Sequence, residues 1–160
     1  MKKIVLVGKG ASGKNFLMER FEKRGFRHLV SHTTRPMRVG EKEGDEYHFV
    51  SRDEFEKMIA DDELLEYQEF GGELYGCSKK EWENSDVVIM APQGVENLKN
   101  LNLRDECFVI YVDIPYHERR RRLCSREGES RDSIESRLLN DEDMFKDFED
   151  YDLIIKNTDF

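Results

Sequence analysis

Long apolar runs are missing from this chain of 160 residues. Nothing in it approaches the roughly eighteen consecutive apolar residues of a membrane span. Met1-Lys2-Lys3 leads straight into Ile4-Val5-Leu6-Val7 and Gly8, too short a run for the core of an export signal. Cysteine is scarce: Cys77, Cys107 and Cys124 are odd in number and form no C-x-x-C pair, which argues against a disulfide framework or a zinc site. Reduced thiols and a cytoplasmic location are therefore expected. Proline is scarcer in effect, because Pro36, Pro92 and Pro115 are scattered and no linker, repeat or low-complexity tract interrupts the chain. One continuous domain follows, 1–160. A basic excess is also lacking: 26 Lys and Arg against 35 Asp and Glu leave a formal charge of -9. Neither nucleic acid nor an anionic membrane is the expected partner of such a surface. Any phosphate ligand must be held by locally concentrated positive charge.

What is present is an alternation. Four β-rich apolar runs, Lys3–Val7, Val87–Ala91, Cys107–Val112 and Leu153–Lys156, read as buried parallel strands, with Phe26–Ser31 a weaker fifth. Between them Lys14–Arg24, Gly94–Leu101 and Tyr116–Ser125 read as helices, so an α/β sheet with right-handed crossovers is expected. From about Thr33 to Lys80 the rhythm breaks. That stretch holds an extended Tyr47–Val50, a helix with capping-box spacing from Ser51 to Glu54, then Leu64–Phe70 and a Gly71-Gly72 turn. A small β-rich insertion with one helix accounts for it.

Gly8-Lys9-Gly10-Ala11-Ser12-Gly13-Lys14-Asn15 lies between the first strand and the first helix. It fits both G-x-G-x-x-G of dinucleotide folds and G-x-x-x-x-G-K of phosphate-binding loops. The dinucleotide reading needs an acid at the end of the second strand, where this chain has Ser31-His32-Thr33. Lys14 stands where a phosphate loop needs a cation for the β- and γ-phosphates, which favours a nucleoside triphosphate. Asn15 replaces the usual magnesium-binding hydroxyl, although an amide oxygen also ligates a hard cation.

Downstream, Arg35 and Arg38 are flanked by Ser31, Thr33 and Thr34 before them and Tyr47 after, a cage suited to a second phosphate group. Here the sequence resembles guanylate kinases, from about Lys3 to Asn157, through the segment S-x-T-T-R-x-x-R-x-G-E-x-x-G-x-x-Y-x-F. The resemblance implies a P-loop nucleoside monophosphate kinase fold. It would have a parallel five-stranded sheet flanked by helices, a core of 1–32 and 81–160, a nucleoside-monophosphate-binding insertion at about 33–80, and an Arg-rich lid at about 119–137. It implies transfer of the γ-phosphoryl of ATP to GMP or dGMP with Mg2+, by a monomer or homodimer. In that pattern Gly8, Gly10, Ala11, Ser12, Gly13, Lys14 and Asn15 hold ATP, Asn157 lies near the adenine, and Asn15 is the metal ligand. Ser31, Arg35, Arg38, Tyr47 and Tyr75 hold the GMP phosphate, while Glu66 and Cys77 meet the guanine. Lys14, Arg38, Arg126 and Arg137 carry the transfer. Arg119–Arg122, taken alone, are expected on a solvated helix face.

Three departures qualify the match. Cys77 follows Tyr75-Gly76 where the family has Ser or Thr, and a thiol is a weak hydrogen-bonding group. Val88-Ile89-Met90-Ala91-Pro92-Gln93-Gly94 replaces L-D-x-D-x-Q-G, so two carboxylates become Ile89 and Ala91. The chain also stops soon after Asn157, where relatives add a helix; the expectation is apolar surface covered by a second subunit, or a trimmed fold. Relaxed base choice is one alternative function. A catalytically silent domain that binds phosphorylated peptides in the GMP pocket is another.

Overall fold

The computed structural model describes residues 1–126 and 128–157. In chain order the elements are β1 (Lys3–Gly8), α1 (Lys14–Glu22), β2 (His32–Thr33), β3 (His48–Phe49), α2 (Arg52–Ala60), β4 (Leu64–Phe70), β5 (Glu73–Ser78) and α3 (Lys79–Asn84). They continue as β6 (Val87–Met90), α4 (Pro92–Asn100), β7 (Cys107–Val112), α5 (Tyr116–Cys124), α6 (Arg131–Phe145) and β8 (Leu153–Ile155). Two compact units result, one of Met1–Gly25 with Ile89–Phe160, the other of Phe26–Val88.

The first unit is built on a sheet of strand order β6-β1-β7-β8. β1 runs parallel to β7, Lys3 opposite Cys107 through Gly8 opposite Val112, and β7 parallel to β8. Continuous apolar runs make these strands, because a parallel sheet covered on both faces has few positions for polar side chains. Val5, Leu6, Val7, Val109, Ile110 and Val112 are buried accordingly. Helix α1 stops at Glu22, where the Gly25 N–H reaches the Glu22 carbonyl at 2.9 Å and glycine takes the positive φ of 87° that ends the turn.

The expected fifth strand, Phe26–Ser31, contributes one parallel bridge, His28 to Val87, instead of a ladder. Its polar groups are committed elsewhere: Arg27 pairs with Asp86 at 3.0 Å, and the Ser31 carbonyl accepts the His48 N–H at 2.8 Å. The sequence reading assigned no helix to Arg131–Phe145. That helix starts at Ser130, whose hydroxyl accepts the Ser133 N–H, and buries only Ile134, Leu138 and Phe145. Three apolar contacts in fifteen residues make a faint period.

The second unit carries a separate sheet, β3-β2-β5-β4, in which β4 and β5 form a hairpin across Gly71 and Gly72, both at positive φ. Helix α2 opens with the expected capping box, the Ser51 hydroxyl accepting the Glu54 N–H at 3.1 Å and the Glu54 carboxylate the Ser51 N–H at 2.8 Å. Its Phe55 packs with Leu64 and Leu74 in a small core. Short α3 carries the chain's one tryptophan, Trp82, partly buried.

Candidate functional site

In the first unit, β1 delivers the chain to the glycine loop. A Cβ on Gly8 would lie 2.6 Å from the Ser12 hydroxyl and 2.8 Å from the Val112 carbonyl, so this approach admits glycine alone. The loop then bends through Ala11 at φ 59° and Gly13 at φ 98°, left-handed positions of which the first is strained for a residue with a Cβ. Gly13 is the N-cap of α1 and offers no side chain to its first N–H groups, leaving backbone donors suited to an anion. Lys14 folds back over the loop, its Nζ donating to the carbonyls of Gly8 (2.6 Å) and Lys9 (2.9 Å) and to the Ser12 hydroxyl (3.4 Å). Burial pushes the Lys14 ammonium down to about 8; Asp141 opposes that shift, while Arg119 and Arg126 add to it.

Two other expected ligands, Arg126 and Arg137, lie near this loop. Arg126 is exposed and near enough to act on Lys14, and the Arg137 Cδ lies 3.6 Å from where a Cβ on Gly10 would stand. Arg137 is held by Glu129 at 2.9 Å. Asn15 is exposed on the first turn of α1, and Asn157 is exposed just beyond β8.

The solvated helix face expected for Arg119–Arg122 holds for Arg121, which is exposed, and fails most clearly for Arg119. Arg119 is fully buried, Arg122 Nη1 donates to the Ala11 carbonyl at 3.2 Å, and Arg120 and Arg121 pair with Glu135 and Glu118. Sequence spacing conceals this, because the acids that make burial possible, Asp141 and Glu142, come from the unassigned α6. Gly10 N–H donates to Asp141 at 2.8 Å, and Lys9 pairs with Glu142 at 3.0 Å.

In the second unit, register decides which side chains share a face. Tyr75 stands opposite Thr33 and Gln68, and Glu66 opposite Cys77, after an irregularity between Leu64 and Glu66. That extra residue sends Leu64 toward Phe55 and puts Glu66 on the face of Tyr75 and Cys77. Arg35 lies over the rings of Tyr47 (5.3 Å) and Phe49 (5.6 Å), and Tyr47 meets Tyr75 edge-on at 5.9 Å. Burial raises the Tyr47 phenol above its ordinary range, which keeps it a neutral donor. Arg38 is exposed and Ser31 partly buried.

Glu41, the acid of the R-x-x-R-x-G-E segment, has no role assigned from sequence, and the structure supplies one. It grips Arg35 with both oxygens, at 2.8 and 3.0 Å, and takes the Arg38 N–H at 2.7 Å. The Arg35 hydrogen bond holds the Glu41 carboxyl below its usual range. Cys77 is fully buried and its thiol turns to the Ser78 carbonyl at 3.4 Å. Ile89 is partly buried in β6, and Ala91 caps α4 without a side-chain bond. Gly94 packs closely under Met90, three of whose side-chain atoms would lie 3.1–3.3 Å from a Cβ there.

Among the described residues, no group of three or more His, Cys, Asp or Glu side chains is arranged to hold a metal ion, and no helix is long and apolar enough to cross a membrane. A family model described as guanylate kinase matches residues 1–160. The guanylate kinase of Anaplasma phagocytophilum is 33% identical over 167 residues, covering 98% of this chain and 79% of its own. That of Chlorobaculum tepidum is 33% identical over 168 residues, covering 98% and 84%. The human guanylate kinase is 36% identical over 147 residues, covering 84% and 73%. A crystal structure of the Anaplasma phagocytophilum guanylate kinase superposes with a TM-score of 0.75 at 28% identity, covering 99% of this chain and 78% of that one. A strained glycine loop closed by a partly buried lysine, a second unit that packs Arg35 against Tyr47 and Glu41, and relatives matched along nearly the whole chain agree, and the chain belongs to the guanylate kinase family.

Proposed function

We propose that this protein is a guanylate kinase, transferring the γ-phosphoryl of ATP to GMP or dGMP and releasing ADP and GDP or dGDP. The observation that carries the reading is the pairing, in one chain, of two anion-binding assemblies of different chemistry. The loop with Lys14 suits a polyphosphate. In the second unit Arg35 lies over Tyr47, Tyr47 meets Tyr75, and Glu66 shares a strand face with Tyr75; its two oxygens would match the two adjacent N–H donors of guanine. In the transfer an oxygen of the GMP phosphate forms a bond to the γ-phosphorus as the bond to the β–γ bridging oxygen breaks, and ADP leaves with the electron pair.

Gly8, Gly10, Ala11, Ser12, Gly13 and Asn15 would cradle the ATP phosphates, and Asn157 would lie near its adenine. Lys14 would follow the migrating group, with Arg38, Arg126 and Arg137 spreading its charge. Ser31, Arg35, Tyr47 and Tyr75 would fix the GMP phosphate, and Glu66 and Cys77 the base. The metal fits as a nucleotide-borne ion: Mg2+ keeps most of its ligands as water and phosphate oxygen, and the exposed Asn15 would supply one carboxamide oxygen. Held there by Asn15, the ion would supply neutralisation of phosphate charge. The protein acts in the cytoplasm, alone or as a homodimer, with no nucleic acid or membrane as partner.

One observation favours a looser base choice beside this reading. The Cys77 thiol is directed at its neighbouring carbonyl, and Ile89 and Ala91 offer no carboxylate. A coupled assay across GMP, dGMP, AMP and dTMP with ATP tests both, with GMP or dGMP expected fastest. A faster turnover of another base overturns the guanylate assignment. GMP binding without any ATP binding in calorimetry overturns the kinase and leaves a phosphopeptide-binding module.

A further inference from the structure

Three charged side chains beside the glycine loop form an assembly that the proposed chemistry does not use. Arg119 on α5 is 0% exposed. Its Nε donates to the Ile114 carbonyl at 3.2 Å and its Nη2 pairs with Glu142, but its Nη1 has no hydrogen-bond partner among the described residues. Asp141 Oδ2 faces it at 3.8 Å, outside bonding range. That same oxygen is engaged by the Gly10 N–H at 2.8 Å, while Glu142 is shared with Lys9.

A buried guanidinium N–H without an acceptor is costly, and a carboxylate so close would ordinarily satisfy it. Instead the carboxylate takes a loop N–H, the kind of donor that a phosphate oxygen takes in loops of this type. Gly10 makes the contact possible, since a Cβ there would lie 2.9 Å from Asp141 Oδ2. The two oxygens, carboxylate and phosphate, cannot share one N–H, and their charges repel. The unfilled Nη1 of Arg119 is a second seat for the carboxylate, at a 3.8 Å separation about one ångström longer than the 2.8 Å bond to Gly10.

We propose that Asp141 occupies the Gly10 N–H as a stand-in for an ATP phosphate oxygen, and that ATP takes this donor over as Asp141 closes onto Arg119. Asp141 and Arg119 are thus positioning residues that set how readily the loop accepts ATP. The exchange keeps the loop's donor satisfied in both states and returns part of the cost of displacement as a completed buried ion pair. This rests on the loop being the ATP site.

Calorimetry of ATP with the whole protein and with Asp141→Asn tests the proposal. The amide keeps the shape and loses the charge that repels phosphate. At pH 6.5, where Lys14 is cationic, the variant should bind ATP tighter by about tenfold and GMP unchanged. Unchanged or weaker ATP binding overturns the stand-in role and leaves the kinase reading intact, since a merely structural carboxylate would weaken the loop on removal. No ATP binding by the unsubstituted protein overturns the kinase reading itself and this exchange with it. A second measurement needs no variant: the NMR coupling across the hydrogen bond between the Gly10 nitrogen and the Asp141 carboxyl should be present in the free protein and vanish on addition of ATP. Its persistence in the ATP complex overturns the exchange even if Asp141→Asn fails to fold.

Discussion

Lys14 carries two opposed demands, since its charge must meet phosphate and its burial disfavours that charge. With its pKa lowered to about 8, kcat/KM for ATP should be level near neutrality and fall about tenfold per pH unit above that value; a profile flat to pH 9.5 would show that Lys14 charge is not required. Stability has the opposite slope. The unfolded lysine titrates near 10.4, so between about 8 and 10.4 the unfolded chain binds more protons and this group makes the fold more stable as pH rises. Lys14→Ala should cost at least about a hundredfold in kcat, as loss of a charge-stabilising donor does elsewhere. Cys77→Ser should lower the KM for GMP by about two- to tenfold, the worth of one hydrogen bond, and a rise in KM would mean the thiol's fit outweighs its weak bonding. The pattern of glycines, Lys14, Arg35 and Arg38 was legible because chemistry fixed both residue type and spacing. The roles of Glu41, within the R-x-x-R-x-G-E segment, and of Asp141, outside any motif, were not, since a carboxylate that holds another residue shows its partner only in the fold.

Elements were legible where burial is one-sided in sequence terms. The apolar runs of β1, β6 and β7 could be little else, and the Ser51–Glu54 pair announced α2 through a local bond that needs no tertiary context. Replacing Ser51 by Ala should therefore cost about 1 kcal/mol in urea denaturation, and a change within error would show that the small core around Phe55 holds the helix end without its cap. Helix α6 escaped notice for the converse reason, because it buries few apolar side chains and its acids find their partners on α5 and the loop. β5 was hidden by its start after two glycines and by Gly76 within it, which the Phe55 ring and the Glu66 carbonyl approach to about 3 Å of a would-be Cβ. The fifth strand failed through competition, its backbone divided between Val87 and His48.

At the scale of the molecule, the charge of -9 coexists with cationic groups collected at the loop and the Arg35 segment. On the proposed reading small phosphate ligands would be admitted while a polyanion would meet repulsion, and retention on an anion-exchange but not a heparin column at pH 7 and moderate salt is expected. Each ligand should also protect its own unit. GMP is expected to slow hydrogen exchange across Leu64–Ser78, and ATP across Lys3–Glu22, by up to the factor of about a hundred that saturation at a hundred times Kd allows; exchange slowed by GMP only around the glycine loop would reverse the assignment of acceptor and donor. The division of the chain gives a means to follow this. Trp82 on α3 lies within Phe26–Val88, and the unit that carries the glycine loop contains no tryptophan. Indole emission excited at the red edge therefore reports on the nucleotide-acceptor unit alone. During denaturation it reads the melting of that unit against the circular dichroism of the whole. A gap between the two curves would measure, in the native sequence and without any label, how far half of this kinase can unfold before the other half follows.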